Sequence, residues 1–500
     1  MHRRNFCRAA LASAALAPML GSRALASVYA GLMSVDRDLE AVSLSGAEQI
    51  LTKSHVQSLA DSLRGNLLLP GNAGYESARH VLNPSINKHP ALIVQPTGPA
   101  DIGYAVDFAR ENALVVAVKC GGHSYSGKST CEGGLMIDLS TFRDVRVDLP
   151  NQSAFVTGGS LLGELDHESM AAGLVTTSGT VSHTGVGGLT TGGGFGRVGR
   201  RFGLALDNVK SVDVVSADGR LRHASAEENP DLYWAVRGGG GNFGVVTNFE
   251  FQLHPMDRQV IGGNLVYPIS KLPELLEIYA EYSPGCPDEL YSDLIAVYPY
   301  GDKPGVALLN VCWSGPASSY EKAMLPYKAL GEPLQNGVEA IDYVALQRSG
   351  DTTDARSWAS YQKSGFIEGF KPGLIDTLLD GMEPHPDRST ILIFQHSGGA
   401  INQVAPDTTA FPHRYATHNM IPMVSWRQDA PQDEHVRYIR SLWSQLQPFT
   451  HGFYTAEVND GHDVRAMNGN YQDNYPRLAG IKKRYDPQNI FRLNANITPD

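Results

Sequence analysis

Two runs of β-forming residues, Leu114–Val118 and Leu135–Leu139, bracket the loop Cys120-Gly121-Gly122-His123-Ser124-Tyr125-Ser126-Gly127. A chain written this way turns tightly out of one strand with an imidazole at the turn. Glycines there let the backbone approach a ligand closely and leave amide N–H groups free to face an anion such as a pyrophosphate. His123, held at the tip, is chemically able to serve as a ligand, a base or a point of covalent attachment. The same stretch contains Gly122–Ser129, GHSYSGKS, a letter-for-letter match to the phosphate loop of nucleotide hydrolases. That motif needs a helix behind it to complete the phosphate cradle. Thr130-Cys131-Glu132-Gly133-Gly134 and a β-like run follow instead, and glycine pairs start helices poorly. The hydrolase reading is rejected.

Glycine is abundant, 52 residues in 500, and the excess is local: Gly185–Gly196 holds seven glycines in twelve positions. The interleaved Val, Leu and Phe exclude a flexible linker and suggest ordered backbone wrapped around something. Three further segments carry similar patterns: Gly179–Asn208, GTVSHTGVGGLTTGGGFGRVGRRFGLALDN; Trp234–Phe249, WAVRGGGGNFGVVTNF; and Asn474–Ile497, NYPRLAGIKKRYDPQNIFRLNANI. With the GGHSYSG loop, these four pieces in this order resemble the berberine-bridge-enzyme-like FAD-linked oxidases of the vanillyl-alcohol-oxidase superfamily, from about residue 85 onward.

The resemblance implies an α+β chain: a PCMH-type FAD-binding domain of two α/β lobes, and a substrate domain whose antiparallel sheet is backed by helices. It implies FAD attached through its 8α-methyl group to His123. Many members add a second bond from a cysteine just before a G-x-G-G run. Gly185-Val186-Gly187-Gly188 matches that run, and counting back puts the cysteine position at Val181, so a single covalent link is expected. The cofactor wall implied by the match comprises Lys119, Cys120, Gly121, Gly122, Ser124, Tyr125 and Gly127 on the first loop. Gly158 follows, then Val181, Ser182, Thr184, Gly185, Gly187, Gly188, Thr191, Gly192, Gly193 and Gly194 on the second segment. Val245, Asn494 and Asn496 complete it.

Arg3-Arg4-Asn5-Phe6, the mild apolar run Ala9–Leu20 and Ala24-Leu25-Ala26 form a twin-arginine export pattern with a cleavage site. A periplasmic or secreted location follows as an expectation. The apolar run is too short to span a bilayer, and no other stretch reaches that length. Losing residues 1–26 removes four arginines and no acid, which carries the formal charge from −11 to −15. An acidic body without a Lys/Arg run argues against nucleic acid and anionic membrane surfaces, and leaves a small molecule as the partner. Four cysteines remain, Cys120, Cys131, Cys286 and Cys312, without metal-ligand spacing. An oxidising compartment allows a Cys286–Cys312 disulfide or buried free thiols.

Along the chain, residues 27–84 read as an N-terminal extension with a helical piece at Val56–Leu63. Residues 85–258 read as the FAD-binding domain, opening β–α–β through Ala91–Val94, Ala100–Asn112 and the strand into the His123 loop. Within 259–459, helical patterns (Leu272–Tyr282, Tyr320–Leu330, Gly373–Leu379) alternate with strand-like runs (Leu290–Val297, Val306–Trp313, Ile391–Phe394), which suggests the substrate domain. Residues 460–500 return to the first domain.

The expected chemistry is hydride transfer to the flavin, with a protein base taking the proton from oxygen or nitrogen. Tyr125 and the segment Tyr454-Thr455-Ala456-Glu457 supply the candidates; Tyr454 comes first as base, Glu457 second, and strand alternation would put the two on opposite faces. Gln395 and His396 are the expected substrate contacts, with Tyr454. Thr184 stands at the family's oxygen gate, where a small β-branched side chain resembles oxygen-using members. The expected enzyme is thus an FAD-dependent oxidase of an alcohol or sugar hydroxyl, reoxidised by O2 to give H2O2. Oxidation of an amine or phenolic substrate, or a dehydrogenase using another acceptor, are the alternatives.

Overall fold

The computed structural model describes residues 34–351, 355–457, 459 and 464–499. The Arg3-Arg4 pattern and the Ala24–Ala26 cleavage site lie outside them. Among the described residues no helix is long and apolar enough to cross a membrane. Helices and three main sheets give the α+β architecture expected from the sequence.

The first sheet has four strands in the order Asn66–Leu68, Leu92–Gln95, Leu135–Asp138, Val116–Lys119. The last three run parallel. Parallel strands need a crossover, and helix Pro99–Glu111 supplies one between Leu92–Gln95 and Val116–Lys119. Its proline sits in the first turn, where the missing N–H costs nothing. Ile102, Ala105, Val106 and Ala109 recur at three and four spacing and are fully buried. The second sheet has five antiparallel strands in the order Leu221–Ser225, Val209–Val215, Val245–Gln252, Ser153–Thr157, Val145–Asp148.

Where the two lobes meet, backbone touches backbone. A Cβ on Gly121 would stand 2.5 Å from Gly185 N, and one on Gly185 would collide with Cys120 Sγ. Glycine at both positions is therefore a packing requirement: the His123 loop and the second glycine segment cross there. That second segment forms a helix, Val186–Gly192, which its three glycines do not favour. Tertiary packing of Val186 (fully buried) and the chain crossing hold it in place.

The third sheet is antiparallel and, among the described residues, has nine strands. Its central run is Gln259–Pro268, Val306–Trp313, Leu290–Tyr298, Ser389–His396, His418–Arg427, Trp358–Gln362. Strand alternation divides its faces. Leu294, Ala296, Leu392, Phe394 and Met420 pack under helices Leu272–Tyr282, Leu374–Gly381 and Asp433–Leu446. The opposite face turns Asp293, Ile295, Ile393, Gln395, Ile421 and Met423 toward the two smaller sheets. Ile295 pairs with Ile393, and Ile393 with Ile421, so these side chains form a row across the sheet. Cys120, Cys131, Cys286 and Cys312 are all free thiols, so Cys286 and Cys312 are not joined.

Candidate active site

Between the two smaller sheets and the open face of the large one lies a cavity of about 440 Å³. Cys120, Gly121, Gly122, His123, Ser124 and Tyr125 form one wall, with Lys128 and Ser129 behind them. Gly158, Val181, Thr184, Gly185, Gly187, Gly188, Thr191 and Gly192 form the second wall. Val245 and Asn494 line it as well, and so do Tyr454, Glu457 and Gln395, the last on the large sheet. The structure thus gathers four sequence-distant segments around one space.

Six expected cofactor residues stay out of that space. Lys119 turns the other way, into a buried pair with Asp138 at 3.4 Å. Ser182 donates its N–H and Oγ–H to Asp351, at 2.8 and 2.6 Å. Gly127 packs on Ile86 and Gly194 on Ala205, while Gly193 lies under the Tyr454 ring. Asn496 does not line the cavity, and its Oδ1 is buried without a hydrogen-bond partner among the described residues. These residues shape the loops without lining the cavity.

His396 is also corrected. Neighbouring strand residues point to opposite faces, so Gln395 reaches the cavity and His396 points into the sheet's core. There its Nδ1 accepts the Ser292 N–H at 3.1 Å, and its Nε2–H donates to Ser283 O at 2.9 Å. Burial, Arg200 and His418 hold its pKa far below the ordinary range, so it is a neutral structural imidazole.

The strand expected at Tyr454–Glu457 is a turn instead. The Glu457 N–H donates to Tyr454 O at 3.0 Å, and the turn brings both side chains to the same cavity. Tyr454 is not suited to be a base. Its oxygen accepts the Gly194 N–H at 3.0 Å, its ring stands edge-on to Phe195, and burial followed by the nearby Glu457 raises its pKa well above that of an ordinary phenol. Tyr125 is likewise pushed up to about 12, by burial first and Glu457 second. Glu457 moves in the useful direction. Burial raises its pKa to about 7, the Asn419 hydrogen bond opposes the rise, and Asp293 adds to it. Asn419 Nδ2 donates to Glu457 Oε2 at 2.9 Å and to Gln395 Oε1 at 3.2 Å.

Sequence reasoning missed Asp293, Gln362, Asn419 and Lys128. Asp293 is 6 % exposed; its carboxylate accepts from Tyr291 Oη at 2.6 Å and from the His396 N–H at 2.8 Å. Burial raises it to about 6. An acid inside the apolar run LYSDLIAV was the available signal, because a buried acid in a strand needs partners. Gln362 donates to Glu457 O at 2.7 Å and so fixes the turn. Lys128 Nζ donates to Thr455 O at 3.1 Å, tying the His123 loop to the same turn.

The residues present fit a flavin dinucleotide. Three glycine-bearing stretches, at 121–122, 185–188 and 239–241, put bare backbone on the walls. A Cβ on Gly188 would meet no protein atom within 4 Å, although Gly188 lines the cavity. Ser129 Oγ is buried without a hydrogen-bond partner among the described residues. His123 engages His183 through Nε2, while its Nδ1 has no hydrogen-bond partner among the described residues. Gly188→Val is expected to leave the thermal midpoint of the flavin-free protein unchanged. It should weaken FAD retention by about 1–3 kcal/mol, the usual cost of overfilling a packed site. Fluorescence titration with FAD checks this.

Comparison with known proteins agrees with the geometry. The family model described as FAD binding domain matches residues 90–225, and the one described as berberine and berberine like matches residues 466–498. The chain is 32 % identical to an FAD-linked oxidoreductase of Dictyostelium discoideum over 92 % of this chain and 99 % of the other. It is 27 % identical to the (R)-6-hydroxynicotine oxidase of Paenarthrobacter nicotinovorans, over 88 % of this chain and 98 % of that one. The crystal structure of 6-hydroxy-D-nicotine oxidase from Arthrobacter nicotinovorans superposes with a TM-score of 0.80 at 26 % identity, covering 88 % and 99 % of the two chains. A xylooligosaccharide oxidase from Myceliophthora thermophila, in complex with xylobiose, superposes with a TM-score of 0.79 at 25 % identity, covering 89 % and 99 %.

Proposed function

Because the chain belongs to the berberine-bridge-type FAD-linked oxidoreductases, we propose that it oxidises a hydroxyl carbon of a small alcohol or sugar and passes the electrons to O2, giving H2O2. Bound FAD supplies the hydride acceptor. The observation that carries the reading is the Glu457 carboxyl, facing the cavity with a pKa raised to about 7. A hydroxyl carbon gives up hydride readily only as its O–H proton leaves, and a base matched to the working pH is the efficient acceptor. Asn419 holds the Glu457 carboxylate by one oxygen, which leaves the other for the substrate hydroxyl. Tyr125 and Tyr454, protonated throughout the working range, serve as fixed polar groups beside it. Gln395 and Gln362 line the same space with Ile295, Ile393, Ile421 and Met423. That mixture of carboxamides and aliphatic groups suits the polar edge and apolar face of a sugar ring.

Residues 85–258 and 460–500 are assigned to flavin binding and 259–459 to substrate binding. His123 is assigned as the single attachment point, since its Nδ1 has no hydrogen-bond partner among the described residues. Thr184, on the cavity wall, is assigned as the oxygen gate. Arg3-Arg4 supports export to the periplasm or beyond, with the flavin carried inside the folded protein.

A second reading is supported by Asp293 and Glu457 lying on one cavity, and by the name of the 6-hydroxynicotine oxidase relative. Two carboxyl groups favour a cationic amine. Anaerobic bleaching of the flavin separates the two readings. Reduction by neutral oligosaccharides and not by amines supports the first; reduction by amines alone replaces it.

A further inference from the structure

His183 has no part in the chemistry above, yet its ring makes the hydrogen bond to the attachment residue. His123 Nε2 and His183 Nδ1 are 3.0 Å apart, and the two rings stack at a tilt with centroids 4.8 Å apart. We infer that His183 accepts the Nε2 proton of His123 while the flavin bond forms, which makes it a positioning and proton-accepting residue for cofactor attachment. This rests on the assignment of His123 as the attachment point.

The geometry sets the tautomer. A nucleophilic Nδ1 carries its lone pair, so the hydrogen of His123 sits on Nε2 and is donated to His183 Nδ1. The new bond joins His123 Nδ1 to the 8α-carbon, and one C–H bond of the methyl group breaks. Two electrons and two protons are released, one proton from the methyl group and one from His123 Nε2. The electrons pass into the flavin ring, and O2 removes them with two protons as H2O2.

A proton left on Nε2 would make the alkylated imidazole a buried cation. This site resists that charge: burial first, and His183 second, lower the His123 pKa to about 4, with Asp351 opposing. An acceptor at hydrogen-bond distance removes the difficulty. The accepted proton also has a way out. His123 and His183 both line a second cavity of about 240 Å³ behind the pair, and His183 is itself partly exposed. His123 thus stands in the partition between two cavities, with His183 only on the far side.

The test uses the full chain expressed with riboflavin. Total flavin is read from absorbance, and covalent flavin from intact mass after acid precipitation. Wild type should carry the adduct and His123→Ala should not. Wild type without adduct would overturn the attachment assignment itself. Given an adduct in wild type, His183→Ala and His183→Asn should retain total flavin while the rate of adduct formation falls by about 10² or more, the lower end of the range for loss of a proton acceptor. Added imidazole should restore the rate in His183→Ala, which a merely structural role would not predict. Asparagine keeps a hydrogen-bond acceptor but cannot take the proton, so it decides the matter if the alanine variant folds poorly. Adduct formation at the wild-type rate in either folded variant would overturn the inference.

Discussion

Replacing Glu457 by Gln is expected to lower kcat by about 10²–10⁴, the span typical of losing a positioned general base. KM should change little, because the carboxamide keeps the size of the side chain and can still meet Asn419. The pH profile is the sharper readout. In the wild type the base form of Glu457 appears as pH rises through about 7, the value to which burial has moved it. Activity therefore climbs from pH 5 to pH 8, and the glutamine variant loses that rise. The stability effect has the opposite sign. A carboxyl whose folded pKa lies above its unfolded value of about 4.3 binds the proton more tightly when folded. Its contribution is present at low pH and is lost as pH rises through about 7. At pH 8 the glutamine variant should thus be at least as stable as wild type in urea, and nearly inactive. A variant with wild-type kcat would remove Glu457 from the mechanism. A variant both inactive and unstable would show that the carboxyl holds the turn.

The choice of Glu457 over Tyr454 could not be made from sequence. Period-two alternation was applied to a segment that is a turn, and the turn depends on Gln362, nearly 100 residues upstream. Whether a phenol or a carboxyl is the better base depends on burial, which sequence does not show for a single position. The alternating apolar runs at Leu290–Tyr298 and Val306–Trp313 were readable because one face of each packs on helices. Strands Trp358–Gln362 and His418–Arg427 carry Ser, Gln, His and Asn at buried positions, so their hydrophobic pattern is broken where they approach the site. Helix Val186–Gly192 was hidden by glycines that chain crossing requires. His183 was visible only as one letter of a loop; its meaning comes from His123, 60 residues away.

The largest stability effect is expected at Lys482, in helix Tyr475–Tyr485. Lys482 and Asp486 are both fully buried, with Nζ and Oδ2 2.6 Å apart. Lys482 Nζ also donates to Asn242 O at 2.8 Å and to Phe491 O at 3.1 Å. Asp486 accepts the N–H groups of Ile490 and Phe491, at 2.9 and 3.0 Å. The pair thus fastens the C-terminal tail to the glycine loop at 239–244, and both segments line the cofactor cavity. Lys482→Met would strip Asp486 of its counter-charge and leave two carbonyl groups without their donor. Breaking a buried pair from one side costs about 3–5 kcal/mol, much of it from the charge left behind. The urea midpoint should fall accordingly, and the tethered flavin should become solvent-exposed, with its absorbance shifting, before the large sheet unfolds, since the tail and the 239–244 loop separate first. Tryptophan fluorescence and flavin absorbance, followed together, would show the two transitions parting. Lys482→Met combined with Asp486→Leu should recover part of the loss, because no charge is then stranded, although the Ile490 and Phe491 N–H groups lose their acceptor. A single variant as stable as wild type, with coincident transitions, would mean that the tail is held by the apolar contacts of Ile490 and Phe491 and not by this pair.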